Sequence, residues 1–257
     1  MCYDISFTVN IKEIGDYIPD LIYDTQISID FDATTHIMAH AFGEHPIIYV
    51  NRDDGKIHCR LMEWGCIPFY IKVEKPFVAQ RTSMLNARSE RILGDTTSYW
   101  HKIRNRRCLI PVTGIYEHRE IAGWKKKVPY FIYVKDQPLF FIPGLYSVAE
   151  LPDLETGEMV RRFTFTMITR KANSLMEKIH NGGDNKFRMP LFMPPGMSTE
   201  WLSEGLTEER YKELLDFEIP SGQLDYRTVF TIRGRSPRPD GKMKNEPWVW
   251  EKLPELS

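Results

Sequence analysis

The stretch "RRCLIPVTGIYEH" (106–118) holds two short runs rich in β-branched and apolar residues, "RCLIPV" (107–112) and "GIYEH" (114–118). The residues between them, "VTG", carry a turn signal, so the stretch predicts strand, tight turn, strand. The second strand runs out of an aromatic and apolar setting into a carboxylate, Glu117. Runs of the same character recur at "PIIYV" (46–50), "KIHCRLMEW" (56–64), "VPYFIYV" (128–134) and "PLFFIPG" (138–144). "RRFTFTMIT" (161–169) alternates as a half-buried strand does, and "TVFTI" (228–232) reads as a late strand. Helical signals are fewer. "KANSLMEKIH" (171–180) places Ala172, Leu175, Met176 and Ile179 on one face and is followed by the stop signal "NGG". "TEWLSEGL" (199–206) and "TEERYKELLDF" (207–217) read as two acidic, solvated helices. Strands do not alternate regularly with helices, which argues against a doubly wound parallel sheet. The pattern predicts an α+β fold with curved, mainly antiparallel sheet.

The chain has 257 residues and no internal repeat, low-complexity tract or long linker. No apolar run reaches the ~18 residues of a membrane span. The acidic start lacks the basic and apolar regions of a signal peptide. Cys2, Cys59, Cys66 and Cys108 form no CxxC pair, as expected of reduced thiols in a cytosol. The spacing of His58, Cys59, Cys66 and Cys108 fits no zinc pattern, and His36 and His40 read as ordinary surface histidines, so no metal and no cofactor are expected. The net charge of −1 conceals a segregation. Residues 1–32 carry one Lys against seven Asp/Glu, net −6; residues 72–135 carry fourteen Lys/Arg against five Asp/Glu, net +9; residues 227–244 carry six Lys/Arg against one Asp, net +5. Such blocks build a positive face for an anionic polymer, or else intermix on folding into an even surface.

Four stretches hold groups suited to chemistry. The first is the start, "MCYDIS" (1–6). If Met1 is trimmed, Cys2 carries an α-amine and a thiol on adjacent carbons, a 1,2-aminothiol that closes a ring on an aldehyde. The others are "LNARSE" (85–90), the strand pair ending at Glu117, and "KIHNGGDNKFRMP" (178–190) with His180 and Arg188. Each has a plainer reading. Asn86 and Arg88 brace a loop, Glu117 is an exposed strand residue paired with a lysine, and His180 is a helix C-terminal residue favoured by the dipole.

Taken in order, Cys2, Asn-Ala-Arg-x-Glu, "RCLIPVTGIYE" and Ile-His…Arg-Met-Pro, with "WGCIP" (64–68), resemble the SRAP family, the SOS response-associated peptidase-like or abasic-site processing proteins. The matching elements span roughly residues 1 to 194. The resemblance implies a single domain over 1–257 with a barrel-like core flanked by a few helices. It also implies that Met1 is removed and that Cys2 captures an abasic site in single-stranded DNA as a thiazolidine, a crosslinking activity of lyase- or peptidase-like character. Asn86 would position, Glu117 would shuttle protons and His180 would be a polar partner. Elementary chemistry agrees. A free α-amine with a pKa near ~8 is partly neutral at neutral pH, and one carboxyl with a pKa raised by burial serves both dehydration and thiol deprotonation. His180, near a helix C-terminus, is expected to hold a proton. Arg81, Arg88, Arg91 and Arg188 are candidates for phosphates, and Trp64 either stacks on a base at a DNA-contacting edge or sits in the core. The expected protein is a monomer, cytoplasmic and nucleoid-associated when bound to DNA.

The chain departs from the family pattern at several places. Tyr3-Asp4 replaces Gly-Arg, which removes a phosphate-binding cation and puts an acid near the site. "IMAHAFGEHP" (37–46) replaces an Asn-x-x-Pro-Gly loop, His118 stands for an aromatic residue, "NGGDNKF" (181–187) is an inserted, glycine-rich and mobile loop, and "IRGRSPRPDG" (232–241) keeps little of a late Val-Asn element. Two other readings use the same features. An N-terminal-nucleophile amidase would use the free amine as base for the thiol; a non-catalytic single-strand binder would use only the basic segments and aromatics.

Overall fold

A computed structural model describes residues 2–24, 27, 33–153, 155–234 and 237–256. In chain order the strands are β1 (Asp4–Phe7), β2 (Ile22–Tyr23), β3 (Thr34–Met38), β4 (Glu44–Val50), β5 (Ile57–Trp64), β6 (Asn86–Arg88), β7 (Arg107–Val112), β8 (Gly114–Arg119), β9 (Val128–Val134), β10 (Phe140–Pro152), β11 (Met159–Lys171), β12 (Arg188–Pro190) and β13 (Leu224–Thr228). The α-helices are short: α1 (Val78–Arg81), α2 (Glu90–Leu93), α3 (Tyr99–Lys102), α4 (Ser174–Ile179), α5 (Pro195–Trp201) and α6 (Glu208–Asp216).

Strands β11, β10, β7, β4 and β5 are hydrogen-bonded neighbours in that order. β5 also meets β11 in parallel, Glu63 opposite Thr164 and Trp64 opposite Phe165, so the ring closes into a five-stranded barrel. A second sheet runs β13-β9-β8-β1-β3 and is antiparallel throughout. The fold is therefore α+β and mainly antiparallel, as the sequence predicts. Among the described residues, parallel pairing is confined to β5 with β11, β6 with β11 and β2 with β5.

The stretch 106–118 links the two layers, and here the predicted tight turn is corrected. β7 pairs with β10 and β4, whereas β8 pairs with β1 and β9, so the two strands are not a hairpin. The chain bends at Thr113 and passes from barrel to second sheet. The Thr113 amide donates to the Ser6 carbonyl (2.8 Å), which ties the bend to β1. Gly114 is required here, because a Cβ on it would lie 2.1 Å from the Phe131 ring. The late strand is corrected as well. It spans 224–228, and Val229 makes only an isolated bridge to Pro247.

Alternation along the barrel strands divides the core. Ile48, Leu109, Phe141 and Ile168 pack with Ile92, Trp100, Trp201 and Leu214 from the covering helices. The alternate residues Ile47, Ile110, Ile142 and Phe165 pack with Ile5, Ile115 and Ile132 of the second sheet. Both faces of these strands are buried, which is why "RCLIPV" reads as a continuous apolar run. No described helix is long and apolar enough to cross a membrane.

Candidate functional site

The site is assembled where β1 and β8 of the second sheet meet the edge of the barrel. β1 runs antiparallel to β8, with Asp4 opposite Tyr116, so the chain start lies beside the end of β8. Cys2 is fully buried, with Sγ 3.4 Å from the Asp4 carbonyl. In β8, Ile115 packs into the core and Glu117, two residues on, shares its face. β6 pairs in parallel with β11, which sets Asn86 opposite Met167 and lets Asn86 Nδ2 donate to the Cys2 carbonyl at 2.9 Å. α4, capped by the Asn173 side chain, ends at His180, whose Nε2 lies 3.8 Å from Glu117 Oε2. Cys2, Asn86, Glu117 and His180, scattered over the sequence, are thus brought to one place.

Their environment sets their chemistry. Glu117 is 4% exposed, and burial pushes its pKa up to about 7. Burial also raises the Cys2 thiol well above its ordinary value, and the neighbouring Glu117 raises it further, so the thiol is protonated at neutral pH. His180 corrects the expectation of a protonated residue. Burial outweighs the end of a six-residue helix and lowers its pKa to about 4. Its Nδ1 lies 2.7 Å from the Arg188 carbonyl oxygen and 3.3 Å from the Arg188 amide, so the Arg188 backbone fixes the ring. Glu117 Oε1 and Asn86 Oδ1 are buried without a hydrogen-bond partner among the described residues.

A cleft of 530 Å³ opens over Glu117 and His180, with Tyr3, Asp4, Lys127 and Arg233 among its other walls. Residues 182–185 of the glycine-rich insertion form one side. The insertion is anchored at both ends: Asn181 exchanges hydrogen bonds with the Glu120 backbone (2.7 and 2.9 Å), and the Phe187 amide donates to the His180 carbonyl (2.8 Å).

The predicted DNA contacts separate into two groups. Arg88 is exposed and donates to Asn185 of the cleft wall (3.1 Å), and Arg188 is half-buried, paired with Glu90 and bound to the Thr169 carbonyl (2.7 Å). Arg91 is exposed and pairs with Asp95. Trp64 and Arg81 are corrections. Trp64 is 1% exposed, stacks on Phe165 and donates to the Leu85 carbonyl (2.9 Å). Arg81 is buried against Glu63, Glu74 and the Gly65 carbonyl. His36 is a third correction. It is half-buried rather than a surface residue, with Nε2 2.8 Å from Oδ1 of the buried Asp4. No cluster suited to a metal ion occurs among the described residues.

Sequence reasoning missed Arg233. It forms an ion pair with Asp4, side by side with His36, at the lip of the cleft. Burial alone would raise the Asp4 carboxyl, but hydrogen bonds from His36 and Arg233 outweigh it and hold the group below its ordinary value. The signal was present in two halves: an acid where the family has a cation, and a net +5 segment at 227–244 that returns a cation to that acid.

Barrel, second sheet and cleft define a protein whose polar and ionisable groups converge on the second residue of its own chain. The chain belongs to the SRAP family: the model of the family described as SOS response associated peptidase (SRAP) matches residues 1–232. It is 32% identical over 169 residues to the abasic site processing protein YoqW of Bacillus subtilis, across 66% of this chain and 68% of that one. It is 32% identical over 173 residues to the abasic site processing protein YMR114C of Saccharomyces cerevisiae, across 66% of this chain but 42% of the yeast protein, so the match spans less than half of that relative. A crystal structure of a protein from Bacteroides thetaiotaomicron superposes with a TM-score of 0.75 at 30% identity, covering 96% of this chain and 97% of that one.

Proposed function

We propose that this protein processes abasic sites in single-stranded DNA by forming a thiazolidine between the lesion's aldehyde and Cys2, after Met1 has been removed. The observation that carries this reading is the placement of a buried carboxyl with a pKa of about 7 beside the Cys2 thiol, with a neutral histidine behind it. The relatives named above are abasic site processing proteins, which supports the same reading.

The steps follow from the groups present. The neutral Cys2 amine adds to the aldehyde of the ring-opened sugar, giving a carbinolamine. The Glu117 carboxyl, about half protonated near pH 7, gives its proton to the departing hydroxyl, and water leaves as the iminium forms. The Glu117 carboxylate then takes the thiol proton, which a thiol with so high a pKa does not release unaided. The sulfur attacks the iminium carbon, the S–C bond forms and the C=N electron pair passes to nitrogen, which leaves a neutral ring amine and a Glu117 protonated as at the start. Asn86 holds the Cys2 carbonyl and so fixes the direction of the amine and thiol. His180, fixed by the Arg188 backbone and 3.8 Å from Glu117, serves as its polar partner beside the sugar. Arg88, at the rim, and Arg233, beside Asp4, meet the phosphates on either side of the lesion.

The test is a denaturing gel with abasic single-stranded DNA, paired with an intact-mass measurement of the same sample. The wild-type chain beginning at Cys2 is expected to give a covalent band, and Cys2→Ala none. An equal band from Cys2→Ala, or stoichiometric adduct from molecules that all retain Met1, overturns the mechanism, because an acylated Cys2 nitrogen has no basic lone pair. An amidase reading would instead show cleavage of amides without DNA.

A further inference from the structure

A second cavity, of 580 Å³, lies at the other end of the barrel. It is walled by the end of β4, the start of β5, the approach to β7, the middle of β10 and the start of β11. It shares no lining residue with the Cys2 cleft. On β11 alone, Phe163 lines this cavity while Thr169 hydrogen-bonds within the framework of the Cys2 site, a separation of roughly 20 Å at the rise of a strand.

The lining is chemically selective. Arg52, Arg106 and Arg161 converge on it, and none makes an ion pair among the described residues, although Asp53 and Glu150 also line the cavity. Arg52 and Arg161 lie close enough to Arg106 to disfavour its charge. Burial lowers the Arg106 pKa, and Arg52 and Arg161 lower it further. Keeping like charges together with no ion pair to neutralise them costs stability; by contrast Arg81, Arg162, Arg210 and Arg238 each have an acidic partner. Arg60 is already committed to Asp24 and to the face of Phe163, 3.9 Å from the ring centroid. The rim carries Phe69, 44% exposed and in the same cavity, beside Lys72. Unneutralised guanidiniums at the wall suit a phosphate with several acceptor oxygens. An exposed aromatic ring at the rim suits the flat face of a base. The two features together select a ligand that has both.

We infer that this far mouth of the barrel is a second binding site, for a phosphorylated nucleotide, with the phosphate held by Arg52, Arg106 and Arg161 and the base against Phe69. The same chemistry arrives from two sources, a free nucleotide or one nucleotide of an intact nucleic-acid strand. The site owes nothing to Cys2, so it stands whether or not the crosslinking reading does.

The experiment is isothermal titration calorimetry of the full chain with adenosine triphosphate, inorganic phosphate and undamaged oligothymidylate, on the wild type, Cys2→Ala, an Arg52→Glu/Arg161→Glu double variant, and Phe69→Ala. Arg52, Arg161 and Phe69 are exposed, so these changes leave the core intact. Wild type and Cys2→Ala are expected to bind the nucleotide alike, and the double charge reversal to weaken it at least tenfold. Phe69→Ala is expected to weaken the nucleotide severalfold and leave inorganic phosphate unchanged. If oligothymidylate displaces the nucleotide, and the charge reversal weakens both, the source is a strand; if it does not, the source is the free nucleotide. Equal nucleotide and oligothymidylate affinities for the wild type and the double variant, or no binding of either ligand by the wild type, overturn the assignment.

Discussion

Two regions of this molecule bury ionisable side chains, and they treat them in opposite ways. At the seam where β5 closes on β11, Arg81 and Arg162 face Glu63 and Glu74. Arg81 reaches Glu63 at 2.7 Å and Glu74 at 3.0 Å, Arg162 reaches Glu74 at 2.9 Å, and Arg162 also pairs with Glu63. Burial alone would raise the Glu63 carboxyl, but the hydrogen bonds from Arg162 and Arg81 outweigh it and hold the group below its ordinary value. In the cleft, Glu117 meets a neutral histidine and a protonated thiol, and one of its oxygens has no partner among the described residues. A paired carboxylate stays ionised and serves the fold. A buried one with no arginine or lysine beside it is brought close to neutral pH and is left able to exchange a proton. Motif position does not separate the two kinds of residue; what surrounds each charge does.

The contrast breaks if the seam tolerates loss of charge. Arg81→Ala leaves Glu63 and Glu74 short of one of their two partners in a setting with little water. It is expected to cost about 3 kcal/mol or more, or roughly 10 °C in melting temperature, with DNA affinity of the remaining folded protein unchanged. A loss of DNA affinity without a loss of stability would return Arg81 to the phosphate contacts from which its burial removes it.

Glu117→Gln keeps the shape but cannot exchange a proton as a carboxyl does. Crosslinking by DNA-bound protein is expected to slow by about 100-fold, and crosslink reversal with it, since one group carries the proton in both directions. Single-turnover gel kinetics measure both. An unchanged chemical rate with a collapsed affinity would make Glu117 a structural residue like those of the seam.

The same substitution has a stability effect with a definite pH dependence. The folded pKa of Glu117 is raised to about 7 from an ordinary carboxylate value. Its contribution to stability is therefore whole below about 4.5 and is lost as the pH rises through 7. Gln carries no such loss. Glu117→Gln is expected to match the wild type near pH 4.5 and to exceed it at pH 8, by up to ~3 kcal/mol, read as the difference in denaturation midpoint at the two pH values. An equal difference at both would mean that the carboxyl is paired in solution.

Most of this was legible in the chain. "RCLIPV" and "VPYFIYV" are strands at the residues read for them, because a strand buried on both faces has no competing pattern. The joint between β7 and β8 was not legible. "VTG" says that the chain bends but not whether the next strand returns to its neighbour; Ser6 and Phe131, far away in sequence, decide it. The site residues were legible as a set. Their charge states were not, since His180 at a helix end predicts a proton and only its burial removes it. Trp64 and Arg81 carry side chains common in DNA interfaces, and nothing local shows that they face inward.

The smallest expected effect separates the arginines that remain. Arg88 is exposed and touches the cleft only through Asn185, so its guanidinium gives up little to meet a phosphate. Arg91 lies one turn of helix from Asp95, with which it forms an exposed pair that salt screens readily. Arg88→Ala is expected to weaken binding of intact single strands a few-fold, equally for all sequences. It should also reduce the slope of log affinity against log salt by about 1. Arg91→Ala, in α2 and already paired with Asp95, is expected to move both by less, and neither substitution should alter the crosslinking rate once DNA is bound. Fluorescence anisotropy over a series of salt concentrations reads both quantities from one titration. If Arg91 moved the slope and Arg88 did not, the strand would run along α2 rather than across the 182–185 wall, and the path assigned to it here would have to be redrawn.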